Sequence, residues 1–362
     1  MKLTVNRKAF VKHLETAGRA VEKKATIPIL QHVLLDAHAH VNTLTITGTD
    51  LELGIVTTMD TPVSEGGAVT VPIAQLLKAC KGLETETLGI EWTGEKLALI
   101  AGRARAEFPT MSRDSFPELP TMPDARASID ATVFAEAIAR TQYAISPEES
   151  RFTLNGSLLE WNGHFRMVAT DGHRLSIVDR PETASPNDFR AIVPKCFTAE
   201  VARLCNSGTL EYSQDDNHVY ATLGDTLVIA RRLTGNFPPY ERVLPRDFSS
   251  TGICDSEELA GLIKRALPFA DSRSKCVQLT FADGQLGINA ETCDSGAYSD
   301  SIPMRYSGAS FEVGYNAAYI ADFLRTIDGG DVAFRLNGPK HGGELAPAAA
   351  DGYRYVLMPM RI

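Results

Sequence analysis

Asp171, His173 and Ser176 supply the residue types of a nucleophilic triad: a carboxylate to orient an imidazole, an imidazole to take a proton, and a hydroxyl to attack. They fall within six residues of one another, too close for the separated elements that usually bring such groups together, and no G-x-S-x-G turn accompanies them. Neither a P-loop nor a G-x-G-x-x-G is present. The cysteines at 80, 196, 205, 254, 276 and 293 are scattered without a C-x-x-C pair, and the carboxylates lack metal-ligand spacing. They read as reduced thiols, and no metal or cofactor is expected. A hydrolase using Asp171 and His173 is therefore the weaker alternative. The stretch 169–175, Ala-Thr-Asp-Gly-His-Arg-Leu, reads instead as the wall of a binding pocket.

The elements that must position this wall recur along the chain. A strand-like run at 165–169 leads in, another at 175–178 leads out, and Asp and Gly between them suit a reversal. Phe10, Leu14, Ala17 and Val21 mark one face of a helix over 7–24. The same pattern returns 124 residues later with Phe134, Ile138, Thr141 and Ile145 over 130–145, and again after 125 more with Leu259, Ile263 and Ala266 over 255–270. Each follows a short strand, at 2–5, 126–129 and 251–254. A second helix recurs as well: Val71-Pro72 opens one carrying Leu76, Leu77 and Cys80, Val193-Pro194 one carrying Phe197, Val201 and Leu204, and Tyr315-Asn316 one carrying Ile320, Phe323 and Leu324. Proline in the first turn and asparagine at the N-cap are helix-start signals. Thr49-Asp50-Leu51 precedes Thr170-Asp171 by 121 residues. This is a domain duplication with a period near 120 residues, not a short solenoid repeat. The proline-rich stretches 114–120 and 235–245 place boundaries near 124 and 247, giving units 1–124, 125–247 and 248–362. Each reads as an α+β unit, two helices on one face of an antiparallel sheet.

The chain has 362 residues, 44% hydrophobic and 22% charged, as in ordinary globular proteins. No apolar run approaches the roughly 20 residues of a membrane helix. The strand-like start carries no signal-peptide pattern, so a cytoplasmic protein without membrane contact is expected. The net charge is −9, yet Lys and Arg minus Asp and Glu over the six helices gives +4, +2, −1, +1, −1 and 0, a sum of +5 that leaves −14 elsewhere. A basic face on an acidic protein suits a localised contact with phosphate backbone.

Five motifs now stand in order over a threefold repeat: Thr26-Ile27-Pro28-Ile29-Leu30, Thr49-Asp50-Leu51-Glu52, the 169–175 stretch, Phe237-Pro238-Pro239-Tyr240-Glu241-Arg242-Val243 and the terminal 355–362. Together they resemble the bacterial sliding clamps, the beta subunits of DNA polymerase III, over the whole chain. The resemblance implies three clamp domains per chain. Two chains pair head to tail into a closed ring, with twelve helices lining the hole and sheets forming the outer wall. Such a ring is not an enzyme. It encircles double-stranded DNA without reading sequence and tethers the polymerase III alpha subunit, the clamp loader and repair polymerases through short linear peptides. An accessory paralogue serving repair or inhibitor resistance is the alternative within the family.

The resemblance also implies sites. Lys24 falls on a loop that touches DNA. Arg7, Lys8, Lys12, Arg19, Lys78 and Lys81 are candidates for the lining, with Arg151 and Phe152 from the loop 147–153. The peptide pocket takes Leu154, Thr170, Gly172, His173, Arg174, Leu175, Pro238, Arg242 and Val243 from the middle unit and its exit. The last unit contributes Asn316, Tyr319, Val356, Leu357, Met358, Pro359, Met360 and Arg361. Leu154, Leu175, Val243, Val356 and Met358 would form its apolar cavity, while Arg174, Arg242 and Arg361 would meet peptide carbonyls or carboxylates at the rim. A tail built into a pocket should tolerate neither extension nor truncation. The ring interface would pair 103–108 with 296–304 of a second copy: Arg103 and Arg105 meet acidic residues such as Asp300, Pro268 and Phe269 add apolar contact, and Ala106 replaces a frequent aromatic.

Overall fold

The computed structural model describes residues 1–22, 26–245, 247–292, 296–349 and 352–361. Lys24 and Cys293 lie outside the described residues. Six α-helices occur among the described residues: α1 Arg7–Ala17, α2 Ile73–Gly82, α3 Ala131–Thr141, α4 Lys195–Leu204, α5 Ser256–Ala266 and α6 Ala317–Leu324. They are the six expected from the periodicity, and the expected apolar residues Phe10, Leu14, Phe134, Ile138, Leu259, Ile263, Ile320 and Phe323 are buried.

The helix ends differ from expectation, for local reasons. The first helix of each repeat stops early and tightens into a 3-10 turn, at Gly18–Ala20, Gln142–Ala144 and Leu267–Phe269. The last of these carries Pro268, which has no N–H to extend an α-helix. The starts are sharp because the final strand residue doubles as the cap. Asn6 accepts from the Ala9 N–H (3.1 Å), Asp130 from Thr132 (2.8 Å), Asp255 from Glu257 and Glu258 (2.9 Å each) and Asn316 from Ala318 (2.9 Å). Pro72 and Pro194 each end a strand: α2 begins at Ile73, as expected, and α4 at Lys195, one residue after the expected start at Pro194.

Two compact units emerge from the contacts. One comprises Met1–Phe134 with Ala199–Arg232, the other Ala135–Thr198 with Leu233–Ile362. Their borders cut the middle repeat because its strands join two different sheets. In the first unit an eight-stranded antiparallel sheet carries Thr226–Arg231 against Leu53–Asp60, with Ile229 opposite Gly54. In the second, a nine-stranded sheet carries Arg174–Arg180 against Tyr353–Leu357, with Leu175 opposite Val356. The first unit also has a five-stranded sheet ending on Ala104–Pro109, and the second a four-stranded sheet ending on Gly296–Pro303. The helices α1 and α2 close the first core, where Phe10, Leu14, Leu76 and Cys80 pack with Leu3, Val5 and Leu88.

The duplication is visible at the level of single hydrogen bonds. In the first turn, Thr49 Oγ1 donates to the Leu53 carbonyl (2.9 Å) and accepts the Leu51 N–H (3.0 Å), and Asp50 Oδ1 accepts the N–H groups of Glu52 and Leu53 (3.0 and 2.7 Å). Leu51 sits at φ +79°, half exposed, in a region that L side chains adopt at a cost of about 1–2 kcal/mol. Leu51→Gly should relieve that strain and stabilise the protein by up to about 1 kcal/mol. A urea midpoint that falls in this variant would contradict the assignment of strain.

Candidate functional site

The same turn recurs at 170–174. Thr170 Oγ1 donates to the Arg174 carbonyl (2.6 Å) and accepts the Gly172 N–H (3.1 Å), while Asp171 Oδ1 accepts the His173 and Arg174 N–H groups (2.9 and 3.0 Å). Gly172, at φ +88°, supplies the left-handed residue. His173 is left exposed, and Ser176 is fully buried with its hydroxyl donating to the Arg140 carbonyl (2.5 Å). The Asp171 carboxylate and the Ser176 hydroxyl are thus spent on separate structural bonds.

Around this turn the last repeat completes a surface. Beyond the Leu175–Val356 pair, the Met358 N–H donates to the His173 carbonyl (3.0 Å) and the Met360 N–H to the Gly314 carbonyl (2.8 Å). The tail therefore crosses from the nine-stranded to the four-stranded sheet of this unit, held by its own backbone. Gly314 lies two residues before Asn316, which caps α6 and so sets Tyr319 on its first turn. Leu154, Leu175 and Val356 share one apolar cluster with Leu158, Val168, Phe237 and Tyr240. Leu357 is buried, Met358, Pro359 and Met360 are half-buried, and Pro238, Arg242 and Arg361 are exposed. Val243, expected in the cavity, is 43% exposed, and Leu244 packs on the cluster instead. Phe237 and Tyr240 were legible as motif residues, but their place in the wall was not.

Arg174 corrects the expectation of a rim arginine. Its Nε donates to Asp171 Oδ2 (3.0 Å), Nη1 to Asp322 Oδ2 (2.7 Å) and Nη2 to the Tyr143 carbonyl (2.6 Å). The guanidinium lies 4.1 Å from the centre of the Tyr319 ring, a cation–π distance. Tyr143, Tyr353 and Tyr355 stand behind it. Burial raises all three phenols, so they remain neutral, with Tyr143 and Tyr353 joined OH to OH at 2.8 Å. Arg174 is a strut tying the turn to α6, and Asp322 and Tyr143 are the site residues that sequence reasoning missed. Arg174→Ala leaves the buried Asp171 carboxylate without its cation, while Asp322 keeps Arg325 (2.8 Å), and should cost about 3–5 kcal/mol; Arg174→Lys, lacking the planar fork, should recover only part. An unchanged urea midpoint for Arg174→Ala would exclude the strut.

The basic candidates divide in two. Lys8, Lys12 and Lys78 are exposed and, among the described residues, form no ion pair. Arg7 Nε donates to the Thr85 carbonyl (2.9 Å), Arg19 pairs with Glu200 (2.6 Å) and Lys81 with Glu15 (2.5 Å). Arg151 is drawn to the turn, donating to the Asp171 carbonyl (2.7 Å) and pairing with Glu148 (2.8 Å), while Phe152 is 73% exposed.

Both expected interface segments are sheet edges. Ala104–Pro109 exposes Arg105, which is ion-paired to Glu107 (3.3 Å) and Glu91 (3.7 Å); Arg103 is exposed just before it, and Ala106 packs partly on the first core. On Gly296–Pro303, Asp300 already pairs with Arg265 (2.9 Å) and accepts from the Tyr298 hydroxyl (2.7 Å). Phe269 stacks on Tyr298 at 5.4 Å, beside exposed Pro268.

Comparison with known proteins places the chain. The N-terminal, central and C-terminal domains of the DNA polymerase III beta subunit family match residues 1–120, 128–239 and 241–361. The beta sliding clamp of Pseudomonas aeruginosa is 32% identical over 369 residues, and that of Escherichia coli 30% over 368, each match covering the whole of both chains. The crystal structure of the P. aeruginosa DNA polymerase III beta subunit superposes over the whole of both chains with a TM-score of 0.95 at 31% identity. Another P. aeruginosa structure, a sliding clamp bound to griselimycin, gives the same TM-score. The chain belongs to the DNA polymerase III beta subunit family, the non-catalytic sliding clamps that make the polymerase processive.

Proposed function

We propose that two copies of this chain close head to tail into a ring around duplex DNA in the cytoplasm. In this reading the ring carries the polymerase III alpha subunit, the clamp loader and repair polymerases by their short peptide segments. Each copy contributes three domains with borders near 124 and 247. The observation that carries the ring is the pair of open edges, Ala104–Pro109 and Gly296–Pro303, on a chain that spans its relatives from end to end. An edge strand with unpaired N–H and C=O groups is a ready partner for another antiparallel strand. Because the two edges differ, a contact between them is head to tail and closes only if the rotation allows it.

Lys8, Lys12 and Lys78 supply the attraction to phosphate. Positive charge without base-edge donors positions DNA and does not read it, and a few point charges leave the ring free to move. Peptide docking is supported by the wall of Leu154, Leu175 and Val356 beside the half-buried Met358 and Met360, whose flexible thioethers adapt to different anchors.

Sedimentation should show a dimer. After loading by a clamp loader, that dimer should remain on circular DNA and be lost from the same DNA once linearised. A monomer, or equal loss from both, would remove the ring. Deleting residues 358–362 should weaken binding of a Leu-Phe-ended peptide at least tenfold while retention on circles persists. Undiminished peptide affinity would place the docking site elsewhere.

A further inference from the structure

The first turn and its neighbours reproduce the peptide site's framework almost bond for bond. Thr49 faces Gly54 across the hairpin as Thr170 faces Leu175. Gly54 then pairs with Ile229 of the next repeat, as Leu175 pairs with Val356. The Arg231 N–H donates to the Glu52 carbonyl (3.0 Å), as the Met358 N–H does to His173. The backbone framework of the proposed docking site is therefore found twice among the described residues, and both copies carry the same turn.

What differs is the filling. Where the middle repeat has Leu175, the first has Gly54, and the linker lies over it. A Cβ on Gly54 would come within 2.9 Å of Leu119 Cδ1. Phe116 fixes the linker's start by packing on Ile29, Leu30 and Leu34. Between it and Leu119 runs Phe116-Pro117-Glu118-Leu119-Pro120, an extended, proline-flanked segment with one aliphatic anchor. A cavity of only about 90 Å³ remains between this linker, the turn and the strand ending at Arg231. The linker thus has the chemistry proposed above for an external peptide, and its tether gives it a high local concentration.

We propose that Leu119 is a built-in ligand that closes the first repeat's copy of the docking site, so that each chain offers free peptides a single site. The occupant that competes with Leu119 is a short peptide with a Leu or Phe anchor, the class assigned to the Leu175 site, and the inference rests on that reading.

Calorimetric titration with a hexapeptide ending in Leu-Phe tests it. Wild type should bind one peptide per chain. Leu119→Ala should bind two, the second at least tenfold more weakly, and cross-links from a photoreactive version of the peptide should appear at residues 51–54. If Leu119→Ala does not melt cooperatively, Leu119→Val, which keeps a branched side chain but shortens it, is titrated in its place. A stoichiometry of one in a cooperatively folded variant overturns the proposal. Absence of binding by wild type would instead remove the docking reading itself, so the two failures are distinguishable.

Discussion

A ladder of backbone hydrogen bonds joins Arg174–Arg180 to Tyr353–Leu357, two strands far apart in the chain. Its register decides which side chains meet. A slip by one residue would turn Leu175 and Val356 out of their shared cluster and move the Met358 N–H off the His173 carbonyl. The Asp171 carboxylate protects that register from one end by holding two N–H groups of the turn while pairing with Arg174. Arg174 in turn locks onto Asp322 of α6, which starts where Asn316 caps it. Wall, tail and helix are consequences of one pairing.

The duplicated architecture was largely legible, because it rests on local signals. Helical periodicity, an Asn or Asp at the end of a strand, and a Thr-Asp turn each leave their mark within a few residues. The pocket residues came from resemblance, and their individual roles were less legible because roles depend on distant partners. Nothing near Arg174 announces that Asp322 and the Tyr143 carbonyl will consume its donors. Nothing near Arg19 or Lys81 announces Glu200 or Glu15. The choice of Leu244 over Val243 is a matter of one step beyond the 3-10 turn at Tyr240–Arg242, which Val243 caps. Periodicity analysis has no purchase there.

Counting charges along helices also overstated the free positive surface. Of the candidates on α1 and α2, Lys8, Lys12 and Lys78 form no ion pair among the described residues and Arg7 meets only the neutral Thr85 carbonyl, while Lys81 neutralises Glu15 between the two helices. The field that reaches out from these helices is therefore set by which cations lack a local carboxylate, not by their number.

The edge strand Ala104–Pro109 shows how selectivity and stability separate. Arg105 sits between Glu91 and Glu107, and Lys96 also reaches Glu107. Exposed pairs like these contribute little to folding, since water and salt screen them. On the free side of an edge strand, charges like these nevertheless discourage flat apolar strands from adding on. Such a fringe of charge works as a gatekeeper: it sets an electrostatic condition on any strand that would add to this edge, at almost no cost in folding stability.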